Sequence, residues 1–492
     1  MESILHRLQP FLPVEVYQTY ADYGVYELFD KNTNEQIGMY TLNEQGELAS
    51  FSMEGEAEAG NLPKQELVSI ADKFIETFHP DKKQEYELSA MIELDNSYMI
   101  SYEKREDQYG LFLRSEGFTV SVSTYGRVQQ FFYEKEDYQI IYPETIISEE
   151  KALETYMDHL NFELNITNFD QEIFKNGDNQ IHLAYSVNEH AFDIPADGRE
   201  PAVLREEIDW KPIPPQGAPK DDLYMLIGLT ARHKKLKAIE EGNKRTEIWS
   251  LRDANGPVNS DLNEIDSHII KLCFDQKSGH LLQVTSGEQA DQNDNEMGIE
   301  AAKQKALDVM FKLFPDTDER FRLEVLEDHV EEADDEAFLE EEDCEEVADS
   351  FVEELEETGG EDIFEGENEL EDNYTFYFHL MFNGVRVDDC VSIIGIGNHS
   401  GKVNHFQLNV LEEADYQQLT SKPVISQEEA KRIYKDLLKM ELLFVREYDE
   451  NYKALYTLSY GPSFPETAGH VRSIDAITGK AMYVDIGDAQ FF

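Results

Sequence analysis

Hydrophobic and polar positions along the chain follow two different periods, which predicts an alternation of helices and strands. Apolar residues recur at helical spacing over 67–78 and 301–314, and a proline follows each segment where a helix cannot continue. Further along, the runs 118–122 and 374–380 alternate with period two, as strands do. This order predicts an α+β fold in which helices cover antiparallel sheets.

Two other segments match each other position by position. Counting from Ser148 and from Ser426, an Ala, a Tyr, an Asp and a Leu follow at the same offsets of 4, 8, 10 and 12 residues. Offsets 4, 8 and 12 lie close together on one helical face, so the shared residues are those that would pack. Each serine is predicted to cap the N-terminus of its helix.

The spacing of these helices indicates a tandem duplication with an insertion in the second copy. From Pro80 to Ile147 there are 67 residues, and from Pro315 to Ile425 there are 110. The excess of 43 residues is close to the length of an acidic tract, residues 327–372, which is 46 residues long. We therefore predict that an ancestral unit of roughly 230 residues was duplicated and that its second copy received the tract.

These repeats set the predicted boundaries. Residues 1–55 form a β-rich N-terminal lead-in, and residues 56–214 form the first half. Residues 215–260 are a Pro-rich and basic linker, and residues 261–492 are the second half, which carries the acidic insert 327–372. Each half is predicted to hold two modules of helix plus antiparallel sheet, which gives two homologous halves.

Turn signals separate the strands in a recurrent way. The segments 475–480 and 275–280 share one pattern, and 43–46 and 398–401 are shorter versions of it. In each, an Asp or Asn opens the turn by bonding its own backbone, and a Gly supplies the positive φ that closes it. All four are predicted to be hairpin turns between antiparallel strands.

Two stretches of the second half resemble known families. The segment that begins Ile425-Ser-Gln-Glu-Glu-Ala430 and ends Ser473-Ile-Asp-Ala-Ile-Thr-Gly-Lys480 resembles a PepSY-type module, a helix followed by a small antiparallel sheet. The segment Phe382-Asn-Gly-Val-Arg-Val387 and the turn after it resemble the YcdB/YcdC repeat of Bacillus-type bacteria. Because PepSY modules are associated with propeptides that inhibit thermolysin-type metallopeptidases, the resemblance implies a fold and the regulation of a peptidase or another partner.

Charge and cysteine content restrict the partners and the compartment. With 42 Lys and Arg against 103 Asp and Glu, the formal charge is −61, which disfavours nucleic acid and anionic membranes as partners. The three cysteines, Cys273, Cys344 and Cys390, are widely spaced and fit isolated free thiols. We expect no signal peptide and no membrane span, and therefore a cytoplasmic protein.

No catalytic or metal-binding motif emerges. The loop 395–402 matches neither the dinucleotide fingerprint nor the P-loop, and a strand follows it, so a hairpin turn is the preferred interpretation. The 13 histidines are scattered without zinc-ligand spacing, and no nucleophile elbow occurs. The prediction is therefore a protein without catalytic residues, metal ligands or cofactors.

Two charged segments allow several interpretations. The tract 327–372 contains 25 acidic residues and no Lys or Arg, which fits a solvated loop, a docking segment for a basic partner, or a calcium-binding tract. The one basic cluster, Arg232 to Lys237 with Lys244 and Arg245, is predicted to pair within the chain, with the tract or with a neighbouring face.

These observations favour a non-enzymatic, protein-binding or regulatory protein whose partner has an unknown identity. A sheet with one covered face leaves its other face or an edge available for a partner, for example by strand addition. Two alternatives stay open: an enzyme of unrecognised type with a cleft between the halves, and an acidic calcium-buffering protein. The sequence selects no oligomeric state.

Overall fold

The computed structural model describes residues 3–21, 24–43, 45–55, 59–189, 191–202, 210–251, 261–265, 268–287, 296–324, 371–411, 420–467, 469–484 and 490–491. Among these residues the fold is mixed α+β, and strands outnumber helices. The helices are α1 Ile4–Leu8, α2 Lys64–Phe78, α3 Glu149–Asp158, α4 Leu223–Leu226, α5 Ile299–Leu313, α6 Thr317–Arg320 and α7 Gln427–Leu437, with short 3₁₀ helices at Gln9–Phe11 and Lys83–Glu85.

The strands fall into groups along the chain. The first group, before α3, is β1 Val16–Tyr20, β2 Val25–Asp30, β3 Gln36–Leu42, β4 Leu48–Met53, β5 Glu87–Leu94, β6 Ser97–Arg105, β7 Phe112–Ser123, β8 Val128–Glu134 and β9 Tyr138–Ile141. Between α3 and α5 lie β10 Leu160–Asn168, β11 Ile181–Glu189, β12 Ile194–Pro195, β13 Trp210–Pro212, β14 Lys234–Glu241, β15 Lys244–Ser250, β16 Ile269–Asp275 and β17 Leu281–Ser286. The remaining strands are β18 Phe321–Glu324, β19 Asn373–Phe382, β20 Val385–Gly397, β21 Val403–Gln407, β22 Lys439–Tyr448, β23 Ala454–Ser463, β24 His470–Asp475, β25 Ala481–Val484 and β26 Gln490–Phe491.

The chain divides into two compact units. The first comprises Met1–Leu164, Asn168–Arg205 and Lys422–Phe492, and the second comprises Asn165–Thr167 and Glu206–Ser421. These units are defined by contacts between residues in space, and their limits differ from the repeat boundaries predicted from the sequence. The repeat boundaries therefore stay a prediction.

The first unit contains an antiparallel sheet whose strands run in the order β1-β2-β3-β4-β8-β7-β6-β5, with β26 beside β5. The predicted lead-in, residues 1–55, thus supplies β1–β4 to the same sheet as β5–β8. Helix α2 lies against one face of the sheet because its apolar positions recur at helical spacing. Between this face and α2, aromatic and aliphatic side chains are buried, among them Phe74 of the helix and Tyr40, Phe51, Phe118, Val120 and Phe131 of the sheet.

The second unit contains a sheet with the same sequence of connections. Its strands run in the order β14-β15-β16-β17-β21-β20-β19-β18, with β13 beside β18. Helix α5 packs on β19 and β20 and buries Ala302, Ala306 and Met310. The predicted linker, residues 215–260, supplies β14 and β15 to this sheet.

The first unit also holds both of the matched helices, each followed by strands. The predicted N-caps are confirmed, because the Ser148 hydroxyl accepts the amide of Lys151 and the Ser426 hydroxyl accepts the amide of Glu429. The shared alanine and tyrosine positions of the two helices are fully buried, as the common helical face requires: Ala152, Tyr156, Ala430 and Tyr434.

Strands are exchanged between the segments that follow these two helices. Strand β12, which follows α3, pairs with β23, which follows α7; conversely, β24 pairs with β11. The backbone contacts that flank these pairs match as well. The Ala196 amide donates to the Leu458 carbonyl at 2.9 Å, and the Ala476 amide donates to the Leu183 carbonyl at 2.8 Å.

Candidate functional site

Strand β1 forms an outer edge of the first eight-stranded sheet. It pairs with β2 in continuous antiparallel register, and the amides of Lys31 and Ala21 close the two ends of this ladder by donating to Glu15 and Val25. In an antiparallel pair, alternate residues direct their backbone groups toward the partner strand. The backbone groups of Val16, Gln18 and Tyr20 therefore point away from the sheet. The Val16 amide donates to Gln9 Oε1 at 3.3 Å, which leaves Gln18 and Tyr20 as the outward residues of interest.

Aromatic rings support both faces of this edge. On one face, Tyr20 lies 5.2 Å from Tyr26, which stacks on Tyr40 at 4.9 Å. On the other face, Tyr17 stacks on Phe29 with ring centroids 5.4 Å apart. Burial raises the pKa of Tyr40 to about 12, and its hydroxyl donates to Gln18 Oε1 at 2.8 Å, so the phenol stays neutral and fixes the side chain of Gln18.

The corresponding edge of the second sheet is β14, and its character is different. It carries three lysines in the run Lys234–Glu241 and a register shift between Lys235 and Lys237. Lysines and β-bulges are two devices by which edge strands resist pairing with another chain. Strand β1, Val-Tyr-Gln-Thr-Tyr, has no charged side chain and no register shift.

The opposite edges of both sheets are occupied. In the first sheet β26 pairs with β5 at Met91 and Ala90, and in the second sheet β13 pairs with β18 along three residues. Among the described residues, β1 pairs with a strand on one side only, and it has neither a register shift nor a charged side chain. We take β1 as the candidate site for a partner.

The basic cluster of the sequence lies partly on β14 and β15. Lys235 Nζ is 2.8 Å from Glu247 Oε1, Arg245 is 3.3 Å from the same atom, and the Glu247 side chain is buried. Although burial opposes its charged form, the hydrogen bonds from Lys235 and Trp249 hold the pKa of Glu247 below its ordinary value. For these two cations the predicted pairing within the chain is confirmed, and the partner is the neighbouring sheet face.

The glycine-rich loop is a hairpin turn between β20 and β21. Its backbone amides at His399 and Ser400 donate to the Glu371 carboxylate at 3.2 and 2.9 Å, and the amide side chain of Asn404 donates at 3.0 Å. The anion-binding groups of the loop are thus occupied by a carboxylate of the chain itself. Asn398 Oδ1 is buried and has no partner among the described residues, so the prediction that Asn398 bonds its own backbone was wrong.

The other three turns follow the predicted chemistry. Asp475 Oδ1 accepts the amides of Ile477 and Thr478, and Asp275 Oδ1 accepts the amide of Ser278. Asn43 Oδ1 accepts amides in the same way. The glycines that close these turns have positive φ: Gly479 at 75°, Gly279 at 71° and Gly46 at 75°.

A buried polar cluster lies near the two matched helices of the first unit. Glu189 Oε2 is 2.9 Å from Arg472, and Glu189 Oε1 is 3.7 Å from His470. Burial lowers the pKa of His470, and burial together with Glu189 raises the pKa of both Tyr156 and Tyr434. The two tyrosines are fully buried, and the cluster reaches the surface at Arg472, whose side chain is 41% exposed.

Metal and thiol chemistry has little support in the part of the chain that the structure describes. No group of three or more His, Cys, Asp or Glu side chains there could hold a metal ion. Cys273 and Cys390 are buried and form no disulfide, and burial raises the pKa of the Cys273 thiol, which makes it a poor nucleophile. No described helix is long and apolar enough to cross a bilayer. Cys344 and the acidic tract, apart from Glu371 and Asp372, lie outside the described residues.

The site that sequence reasoning missed is the β1 edge. Its residues were predicted only as part of a β-rich lead-in, because hydrophobic periodicity predicts strands but not the order in which they pair in a sheet. A signal was present: the run 16–20 has no charged residue and contains two tyrosines, whereas 234–241 is rich in lysine.

The chain is an α+β protein built on sheets whose strand pairs are mostly antiparallel. Residues 15–135, which span β1 to β8, match the family described as "YcdB, YcdC repeated domain". Two proteins of Bacillus subtilis (strain 168) are similar: uncharacterized protein YcdB, 26% identical over 90% of this chain and 87% of that protein, and uncharacterized protein YcdC, 25% identical over 57% and 63%. The chain is thus related to the YcdB/YcdC family, as the sequence suggested, although the matched residues 15–135 are not those that carried the resemblance, 382–387 and the turn after them.

A similarity to a solved structure was also found. The Bacillus megaterium YpeB C-terminal domain is 18% identical to the part it covers, which is 40% of this chain and 94% of that domain, with a TM-score of 0.24.

Proposed function

We propose that this chain is a non-enzymatic, cytoplasmic binding protein that takes up an extended segment of a protein partner by strand addition at β1. The observation that carries the proposal is the contrast between β1 and β14. The β14 edge is protected by lysines and a bulge, whereas β1 has neither and offers the backbone groups of Gln18 and Tyr20. Regulation of a peptidase by such binding is the specific form that the PepSY resemblance implies.

The tandem duplication of the chain, predicted from the sequence, is part of this proposal. The common strand order of the two eight-stranded sheets supports it, since unrelated connections rarely reproduce the same crossover. The reciprocal contacts in the first unit support it too, because each matched module contributes one strand to the other. On this basis β1 and β14 are equivalent strands, and the bulge and lysines of β14 mark a divergence in their use. The PepSY-type character of the helix-plus-sheet modules belongs to the same proposal.

The test is selection of peptides of about twelve residues from a random displayed library against the full chain, followed by affinity measurements on variants. Gln18→Pro removes an outward backbone amide and leaves the amides of Tyr17 and Thr19 to bond β2. We expect it to weaken selected peptides by about tenfold or more, since strand addition depends on main-chain hydrogen bonds.

Gln18→Ala is the matched control, because it removes the same side chain and keeps the amide. Its peptide affinity should stay within about threefold of the parent chain. Hydrogen exchange adds an independent readout: bound peptide should slow exchange at residues 16–20 and leave 234–241 unchanged. Equal affinities for the proline and alanine variants, or protection confined to other segments, would refute strand addition at β1.

A further inference from the structure

The face of the first sheet opposite α2, which we call the outer face, carries little charge near β1. Strands β1, β3 and β4 contain no Asp, Glu, Lys or Arg, and β2 contains two acids, Glu27 and Asp30. Asp30 is buried opposite Val16 on the α2 side of the sheet. Among the described residues of these four strands, Glu27 is therefore the one charged side chain on the outer face.

The carboxylate of Glu27 reaches the edge strand. Thr19 is the partner of Glu27 in the β1–β2 register, and its Oγ1 donates to Glu27 Oε2 at 3.1 Å. The carboxylate thus lies against β1, about 4.8 Å (one strand spacing) from the line that an added strand would follow. A carboxylate has about four acceptor positions, so it can accept a cation and keep the bond from Thr19.

An aromatic ring occupies the next position of β1 on the outer face. Tyr17 lies two residues before Thr19 and stacks on Phe29. Its hydroxyl donates to Asn34 Oδ1, which fixes the ring. Pairs of an aromatic and a β-branched residue are favourable across neighbouring strands. A β-branched residue placed opposite Tyr17 would therefore contact this ring.

The α2 side of the same edge offers an exposed ring. Tyr20 is 63% exposed although its ring contacts that of Tyr26. In an added strand, the residue opposite Tyr20 adjoins the one opposite Thr19 and points to the other face of the sheet. An aliphatic side chain at that position would cover apolar surface of Tyr20.

The other end of the β1 edge has little net charge. Glu15 Oε2 is 3.4 Å from Lys31 Nζ, and both side chains are exposed. One acid and one base side by side select neither sign of charge in a partner, and such an exposed pair is weak. The charge preference of the edge therefore comes from Glu27.

We propose that the segment added at β1 carries a lysine or arginine facing Glu27, a β-branched residue two positions away on the Tyr17 ring, and an aliphatic residue beside the base on Tyr20. The partner is thus a basic extended segment with the pattern aliphatic, basic, any residue, β-branched. This inference rests on strand addition at β1 and specifies the partner of that edge.

A symmetric peptide tests the pattern without assuming a strand direction: acetyl-Ser-Ile-Lys-Thr-Val-Thr-Lys-Ile-Ser-amide, labelled for fluorescence anisotropy with the full chain. Its neutral counterpart has glutamine in place of each lysine. We expect the lysine peptide to bind about fivefold tighter, as one exposed ion pair allows. A third peptide, in which each lysine and its inner threonine are exchanged, has the same composition and charge and should bind about threefold more weakly than the first.

Variants of the chain then locate the charge preference. Glu27→Gln should weaken the lysine peptide by about fivefold and leave the glutamine peptide within about twofold of its affinity for the parent chain. Glu240→Gln removes one exposed carboxylate from β14 and is the matched control, which should change neither affinity. Gln18→Pro should weaken all three peptides alike. Thermal unfolding of each variant establishes that it is folded.

The outcomes separate this inference from strand addition itself. Equal binding of the lysine and glutamine peptides, both weakened by Gln18→Pro, would overturn the basic preference and leave strand addition standing. Equal binding of the lysine and exchanged peptides, or equal losses in the Glu27 and Glu240 variants, would indicate general attraction to an acidic chain and overturn the placement at Glu27. Absence of binding by every peptide would count against strand addition and this inference together.

Discussion

Single residues depart most from what the sequence pattern indicates, and Glu116 is an instance. It lies in β7 beside Gly117 in a polar stretch that would ordinarily be exposed, yet its side chain is only 3% exposed. Burial raises the pKa of Glu116, and Lys104, Lys135 and Arg446 offset this only in part. A period-two pattern cannot report such an environment, because the groups that surround Glu116 belong to other segments, one of which, at Arg446, is distant in sequence.

Glu116 should make stability depend on pH. Because folding raises its pKa above the ordinary value of 4.5, its contribution is fully present below that value and is lost as the pH rises through the raised pKa. Glu116→Gln keeps the neutral form at all pH values. We expect the variant to gain more in melting temperature over the parent chain at about pH 8 than at about pH 5.5.

The matched control is Glu54→Gln, which removes one negative charge outside β7 and reports the general effect of net charge. An equal gain for Glu116→Gln at the two pH values, or the same pH trend in the control, would contradict a raised pKa at Glu116.

At the scale of elements, the sequence predicted most of what local periodicity and capping determine. The helix predicted over 67–78 is α2, Lys64–Phe78, and the one over 301–314 is α5, Ile299–Leu313. The capping serines and three of the four turns were right, since each depends on bonds within a few residues. The β20–β21 turn was wrong in detail because Glu371, more than twenty residues away, supplies the acceptor.

Glu371 gives the acidic tract a defined structural end. Two deletions should therefore behave differently: removal of 327–370 keeps Glu371, and removal of 327–372 takes away the acceptor of the His399 and Ser400 amides. A hydrogen bond to a charged group contributes about 1.5–3 kcal/mol to stability. We therefore expect the free energy of unfolding of the longer deletion to be lower by about that amount. Urea unfolding measures the difference.

Glu371→Gln in the full chain controls for the deletion itself and should lose part of the same stability. If both deletions unfold at the same urea concentration, the carboxylate contributes nothing to the turn.

At the scale of the whole molecule, the exchange of strands in the first unit is what the sequence could not predict. Periodicity and capping identify two similar modules, but they do not say that β12 pairs with β23 and β24 with β11, because those bonds join residues far apart in sequence. Two buried tyrosines make hydrogen bonds between the same two modules. The Tyr185 hydroxyl donates to the Ile425 carbonyl at 3.1 Å, and the Tyr460 hydroxyl donates to the Ile147 carbonyl at 2.9 Å.

Each of these carbonyls lies just before the capping serine of the other module's helix, so each module holds the start of the helix that belongs to its counterpart. Tyr185→Phe and Tyr460→Phe should therefore each cost about 1 kcal/mol, and both should lower the same cooperative unfolding transition. Tyr452→Phe, at a residue 65% exposed, is the control and should change nothing measurable. A single unfolding transition that both substitutions lower would make the two modules one folding unit, as the reciprocal exchange of strands requires. If the two substitutions instead shift separate transitions, the modules fold independently and the exchanged strands do not couple them.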